Sequence, residues 1–254
     1  TVPKPVLLLC LVVFFNCGLD SDEKKEDYPQ EVTVESIPDG SGFSYLCRPP
    51  GKGPFPAVLY NHGGFGQNVG GDLEGTCRAL AEAGYLARAE KRRETVSLEG
   101  HLNEVLTALD ELQSHKDADT DRTGIMGFSR GGLLTLQASI VRSDEIHAVI
   151  LMAPAAGGNS LNEALQQVSA IAVPVLILVA KNDLYQDNHV QPANDVYDAL
   201  LEEGKDVTLI VYPEYDANGD GTIDQNDDGH ELFWKVQEPY WNDVLEFLLD
   251  VIGE

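Results

Sequence analysis

Thr123-Gly124-Ile125-Met126-Gly127-Phe128-Ser129-Arg130-Gly131-Gly132-Leu133-Leu134 is the stretch on which the reading of this chain turns. An apolar strand over 123–128 runs into G-x-S-x-G, made by Gly127, Ser129 and Gly131, and an apolar helix over 131–141 follows. By itself the motif is weak, because short Gly-Ser patterns recur by chance. The strand–turn–helix setting gives it weight. There the serine takes a strained conformation, and small flanking residues avoid a clash. Ser129 is therefore the candidate nucleophile.

Working outward, the upstream neighbour is a continuous apolar run over 55–60, followed by Asn61-His62-Gly63-Gly64-Phe65-Gly66. A serine that transfers acyl groups needs two backbone N–H groups aimed at the oxyanion it creates. Arg130, next after the serine, supplies one, and Gly64 or Phe65 supplies the other. His62 precedes the nucleophile and reads as a structural hydrogen-bonder. Downstream, the partners should follow in the order acid, then histidine. A strand over 173–179 ends in Ala180-Lys181-Asn182-Asp183, and Asp183 is the first acid past it, with Asp187 the alternative. Only His189 and His230 lie beyond Asp183. His189 sits in an acidic segment ahead of a helix and is expected at the surface. His230 follows the strand over 207–212 and is the expected base. It would take the Ser129 proton, while Asp183 fixes the imidazole tautomer and stabilises the imidazolium.

The remaining pattern sets the fold class. Residues 31–37 and 43–48 alternate around Pro38-Asp39-Gly40 as an antiparallel hairpin. Further strands are expected at 85–89 and 148–152. Helices are expected at 72–83, 98–112, 161–168 and 191–201, with a last one at 230–252 that Pro239 could break. Continuous apolar strands alternating with helices imply an α/β class with a mostly parallel central sheet and helices on both faces. No repeat or linker interrupts the pattern, so one catalytic domain is expected over 32–252. Within it, only 155–170 could serve as a small lid, and its Gly157-Gly158-Asn159-Ser160 start suggests mobility.

Residues 121–132, the strand with His62-Gly63-Gly64, the Asp183 loop and Gly229-His230 together resemble the α/β-hydrolase superfamily. The resemblance is to its dienelactone hydrolase-like and prolyl-oligopeptidase-like branches, and it covers about residue 55 onward. It implies an α/β-hydrolase fold and a serine hydrolase acting on esters, or on peptides. Two departures stand out. Dienelactone hydrolases proper use a Cys nucleophile where Ser129 stands, and the peptidase relatives carry an N-terminal propeller for which this chain has no room.

Residues 216–227 form a second motif. Asp216, Asn218 and Asp220 occupy positions 1, 3 and 5 of a 12-residue loop, Gly221 the sharp turn, Thr222 position 7, Asp224 position 9 and Asp227 position 12. Hard oxygen ligands at alternating positions suit Ca²⁺. The loop resembles EF-hand and dockerin loops, although a strand rather than a helix precedes it. Six acids and no base lie between Glu214 and Asp228, just ahead of His230. A bound ion is thus expected to order the segment presenting the base. Ca²⁺ is expected as a structural ion, and no cofactor is needed for the chemistry.

Composition bounds the rest. In 254 residues, 17 Lys+Arg against 42 Asp+Glu give a formal charge of −25, which excludes nucleic acid and anionic lipid surfaces as partners. Lys4 and the apolar run 6–15 have the layout of a signal segment, too short to span a bilayer. Asn16-Cys17-Gly18 resembles a bacterial lipoprotein signal, which would lipidate Cys17, although Phe14, Phe15 and Asn16 depart from the usual residues. Residues 1–17 are expected as that signal and 18–31 as an acidic tether, so the protein is expected to be exported, with a possible membrane tether through Cys17. Cys47 and Cys77 would then be free to pair, without spacing alone showing that they can. The combined expectation is an exported carboxylic ester hydrolase acting on a small-molecule ester through an acyl-Ser129 intermediate. A peptidase or other acyl-transfer enzyme of the same fold, and a non-catalytic calcium-binding module, remain alternatives.

Overall fold

The computed structural model describes residues 28–40, 42–224 and 228–253, with Asp187 described by its backbone alone. The expected signal over 1–17 with Cys17, most of the tether and the Asp227 ligand position lie outside the described residues.

An eight-stranded sheet in the order β1-β2-β4-β3-β5-β6-β7-β8 forms the centre. The strands are β1 Thr33–Asp39, β2 Gly42–Arg48, β3 Phe55–Asn61, β4 Leu86–Glu90, β5 Ala118–Phe128, β6 Ala148–Met152, β7 Val175–Ala180 and β8 Val207–Tyr212. β1 and β2 form the antiparallel hairpin, and β2 also runs antiparallel to β4. Every pairing from β4 through β3 to β8 is parallel. β6 and β7 are buried at every residue, as continuous apolar runs covered on two faces must be. β5 begins five residues earlier than the apolar pattern suggests. Ala118–Asp119 pairs with Phe55–Pro56, and a register shift then brings Thr123 beside Ala57.

The helices are α1 Leu73–Glu82, α2 His101–Gln113, α3 Arg130–Val141, α4 Ser160–Leu165, α5 Val190–Glu202, α6 Asp228–Glu231 and α7 Tyr240–Ile252. The alternation of side chains along β5 shows which face each covers. A Cβ on Gly124 would meet Leu248 and Ile252 of α7, whereas one on Gly127, on the opposite face, would meet Thr135 of α3. Asp72 caps α1, accepting from the Gly75 N–H at 2.8 Å. α2 starts at His101 rather than 98 because Gly100, at φ 82°, breaks the helical path. The expected last helix is two pieces. The segment between Glu231 and Tyr240 leaves helical form, and Pro239 stands at the cap of α7. A disulfide joins Cys47 of β2 to Cys77 of α1, with a Cα–Cα distance of 5.6 Å. All the parallel strands end on the same edge of the sheet, and the loops at that edge carry Ser129, Asp183, His230 and the glycine-rich segment.

Candidate active site

Ser129 sits at φ 54°, ψ −118° between β5 and α3, a conformation an L-residue takes only when its surroundings impose it. The flanking glycines explain how. A Cβ on Gly127 would fall 2.3 Å from the Gly131 carbonyl oxygen, and one on Gly131 would fall 2.0 Å from the Asn61 carbonyl oxygen. The turn is pinned from β6: the Ser129 N–H donates to Met152 O at 2.8 Å, and the Ala155 N–H to Ser129 O at 3.0 Å.

The end of β7 delivers Asp183, fully buried. His230, on α6, places Nδ1 2.9 Å from Asp183 Oδ2 and 3.1 Å from Oδ1. A carboxylate only accepts, so Nδ1 carries the proton and Nε2 keeps its lone pair. The imidazole is held between aromatic walls, with ring centroids 4.6 Å from Phe128 and 4.8 Å from Tyr185. Burial pushes the Asp183 carboxyl up to about 7. Ser129 and His230 line one cavity of about 960 Å³. Part of the expected lid segment, around Ala155–Gly158 and α4, forms another wall of it.

His189 is not at the surface. It is 3% exposed, its ring centroid lies 4.2 Å from that of His230, and its N–H donates to Asp183 O at 3.0 Å. Its Nδ1 lies 2.9 Å from Ala153 O and 3.2 Å from Pro154 O, which makes Nδ1 the donor nitrogen. Burial, then the His230 charge, lowers its pKa to about 4, so the ring is neutral. Sequence reasoning missed it because its burial comes from residues distant along the chain, Ala153 and Pro154 past β6 and His230. Asp183, His189 and His230 bring potential ligand atoms within 4.8 Å of one another. Both histidine Nδ1 atoms act as donors, so Nε2 is the basic nitrogen of each ring.

The glycine-rich loop approaches Ser129 closely: a Cβ on Gly63 would lie 3.0 Å from Ser129 Cβ. Gly63 and Gly70 exchange N–H···O bonds of 2.7 and 3.1 Å, and Gly64 turns at φ 75°. There a Cβ would strike the Asn68 carbonyl oxygen at 2.1 Å, so only glycine fits. Gly64, Phe65 and Arg130 line the cavity with Ser129. Among the described residues, the Gly64 and Phe65 N–H groups have no backbone acceptor. The Arg130 N–H, at the first turn of α3, has no intrahelical acceptor either. His62 is structural, as expected: its Nε2 accepts from the Arg92 N–H at 3.2 Å, and its carbonyl accepts from Arg92 Nη2 at 2.6 Å.

Asp216, Asn218, Asp220, Thr222 and Asp224 form an exposed or half-buried loop closed by its own side chains. Asp216 accepts from the Gly219 and Gly221 N–H groups at 2.8 and 2.7 Å, Asn218 from Asp220 at 2.9 Å, and Asp220 from Thr222 at 2.7 Å. Gly221, at φ 82°, makes the sharp turn. Both ends of this segment are tied to the acid loop. The Asn182 carboxamide pairs with the Tyr215 backbone through two bonds of 2.9 Å. Past the loop, Asp228 accepts from the Asp224 N–H at 2.6 Å, and Gly229 packs on the Asn182–Asp183 peptide.

A mostly parallel sheet with a strained serine elbow and a His–Asp pair at its carboxyl edge defines an α/β-hydrolase. The chain belongs to the dienelactone hydrolase family, whose profile matches residues 43–250. It is 26% identical over 248 residues to human dipeptidyl peptidase 8, covering 79% of this chain but only 28% of that protein. Among solved structures, an esterase from Rhizomucor miehei superposes with a TM-score of 0.61 at 17% identity, over 89% of this chain and 86% of that one. Dipeptidyl peptidase 4 from Porphyromonas gingivalis gives 0.62 at 19% identity, over 87% of this chain and 35% of that one. These two likenesses bear on the fold alone.

Proposed function

We propose that the protein is a serine esterase with Ser129 as nucleophile, His230 as base and Asp183 as the residue that orients it. The observation that carries this reading is the 2.9 Å contact between His230 Nδ1 and buried Asp183, on the cavity that Ser129 also lines. Ser129 Oγ attacks the ester carbonyl carbon as His230 Nε2 takes its proton. The oxyanion is met by the N–H groups of Arg130 and of Gly64 or Phe65. Collapse breaks the C–O bond, His230 returns the proton to the departing alcohol, and an acyl group stays on Ser129. Water, deprotonated by the same imidazole, then releases the acid.

The matched peptidases share this core, but the chain spans under a third of dipeptidyl peptidase 8. A peptidase acting at a free N-terminus must also neutralise an α-amino group. Asp195 is the one carboxylate on the described cavity wall, and Gln191 already donates to it at 2.7 Å. An ester substrate makes no such demand.

We also propose that the 216–227 loop takes a structural Ca²⁺ and that the protein works outside the cytoplasm. The chemistry of Asp216, Asn218, Asp220, Thr222, Asp224 and Asp227 supports the first, and the Cys47–Cys77 disulfide supports the second. Lipidation at Cys17 belongs to the same proposal and is read by mass spectrometry of the mature N-terminus.

A fluorophosphonate probe tests the esterase reading. It should label the protein at Ser129 and leave Ser129→Ala unlabelled. Intact, folded protein that takes no label would instead indicate a non-catalytic module.

A further inference from the structure

The cavity beside Ser129 encloses about 960 Å³, far more than a bare acetyl ester fills. Among the described residues, six that carry carboxamides line it, Gln67, Asn68, Asn162, Gln186, Asn188 and Gln191, and no lysine does. A carboxamide presents both donor and acceptor, which complements a hydroxyl, itself both. Among the described residues, the exposed side chains of Gln67, Asn68 and Gln186 have no hydrogen-bond partner in the protein and are open to a ligand.

Charge on the wall is already engaged. Arg130 Nη1 donates to Val96 O at 2.7 Å, its guanidinium lies 5.2 Å over the Phe65 ring, and Asp195 is bonded to Gln191. A net charge of −25 further repels anionic substrates at long range. Trp234, 46% exposed, adds an indole to the same wall. Its apolar face and N–H edge suit a ring that is apolar on its C–H face and polar at its rim.

Resting on the esterase reading above, we propose that this cavity takes short acyl esters of uncharged, hydroxyl-rich alcohols, with acylated sugars as the chemical class. The carboxamides take over the hydrogen bonds that water makes to the sugar hydroxyls, and Trp234 packs against the ring. In the reaction the ester C–O bond breaks and the sugar hydroxyl leaves with the proton from His230. The acyl group passes to Ser129 and then to water as the free acid.

The test compares acetate release from 6-O-acetylglucose and from cyclohexylmethyl acetate, two acetates of primary alcohols, with the full chain. The expected kcat/KM is at least about tenfold higher for the sugar ester. Trp234→Ala and Gln186→Ala should each lower kcat/KM on the sugar ester about fivefold further than on 4-nitrophenyl acetate, chiefly through KM. Equal values for the two acetates, a preference for longer alkyl or anionic esters, or parallel losses on both substrates would each overturn the proposal. Absent fluorophosphonate labelling together with no turnover of 4-nitrophenyl acetate overturns the esterase reading instead.

Discussion

Gly229 lies directly against the backbone of Asp183: a Cβ there would stand 2.4 Å from the Asp183 nitrogen and 2.5 Å from the Asn182 carbonyl carbon. The residue before the proposed base is thus packed on the residue that orients it. Both contact atoms are backbone, so neither can swing aside. Gly229→Ala must push α6 away from β7 and carry His230 with it. A displacement near 1 Å at reacting groups costs on the order of 100-fold in rate. We expect kcat to fall by about that factor while the melting temperature drops only modestly. Near-normal kcat in a folded Gly229→Ala protein would show that the two loops need not pack this closely.

The pH dependence follows from the same pair. Asp183 orients His230 as a carboxylate, and burial pushes its carboxyl up to about 7. Activity should therefore rise through an apparent pKa near 7, a property of the coupled pair rather than of one residue. The stability effect has the opposite sense. A raised folded pKa makes the folded state the better proton binder, so this group's contribution declines as pH climbs from its ordinary value to about 7. Asp183→Asn should melt several degrees higher at pH 8 yet lose nearly all activity. His189 opposes it: with its pKa lowered to about 4, its contribution is lost as pH falls from 6.5 toward that value. A kcat/KM profile flat from pH 6 to 8 would contradict the ascending limb.

Calcium removal should act on the base through two tethers. Asn182 holds Tyr215 at the loop entrance, and Asp228 holds Asp224 near its exit. Without an ion the crowded carboxylates repel and both tethers slacken. Excess chelator should lower the melting temperature and kcat together, with Ca²⁺ restoring both. Asp216→Ala should reproduce the chelated state and no longer respond to Ca²⁺. If chelator changes neither quantity, the loop is a solvated acidic turn.

The Cys47–Cys77 disulfide closes a loop with a sequence separation of 30 and ties the antiparallel edge of the sheet to α1. Chain-entropy reasoning assigns such a loop about 3–4 kcal/mol of stability. Cys47→Ala/Cys77→Ala should lose about that much in urea denaturation with kcat little altered, since neither residue lines the cavity. Identical midpoints with and without reductant would count against the bond.

Much of this architecture is legible in the chain because local chemistry dictates it. Gly127, Ser129 and Gly131 announce the elbow, since the turn has no room for side chains on either flank. The uninterrupted apolar runs of β6 and β7 announce buried parallel strands. Asp183 and His230 follow from strand order. The residues that escaped are those whose roles come from tertiary contact. His189 follows a polar segment and looks like surface, yet its backbone bonds to Asp183 and its ring packs on His230. Asp119–Arg122 is polar, and the pairing of Ala118 and Asp119 with Phe55 and Pro56 draws the segment into β5. Arg92 was missed for the same reason, since its partner His62 lies thirty residues away.

Arg92 carries the last prediction. It is 3% exposed, its Nε and Nη1 have no hydrogen-bond partner among the described residues, and burial lowers its pKa to about 9. A buried cation without a carboxylate is costly, so Arg92 does not stand there for stability. What it does is hold His62: Nη2 donates to the His62 carbonyl at 2.6 Å and the main-chain N–H to His62 Nε2 at 3.2 Å. Those bonds fix the loop whose next residues, Gly64 and Phe65, are the proposed oxyanion donors. Arg92→Met removes the charge and the carbonyl's donor while keeping most of the volume. The melting temperature should hold or rise, because an unpaired buried charge is gone. kcat should fall about tenfold with KM little changed, because loosened donors act on the oxyanion rather than on the bound ester. A variant that melts lower but turns over normally would make Arg92 a structural residue with no hold on the loop.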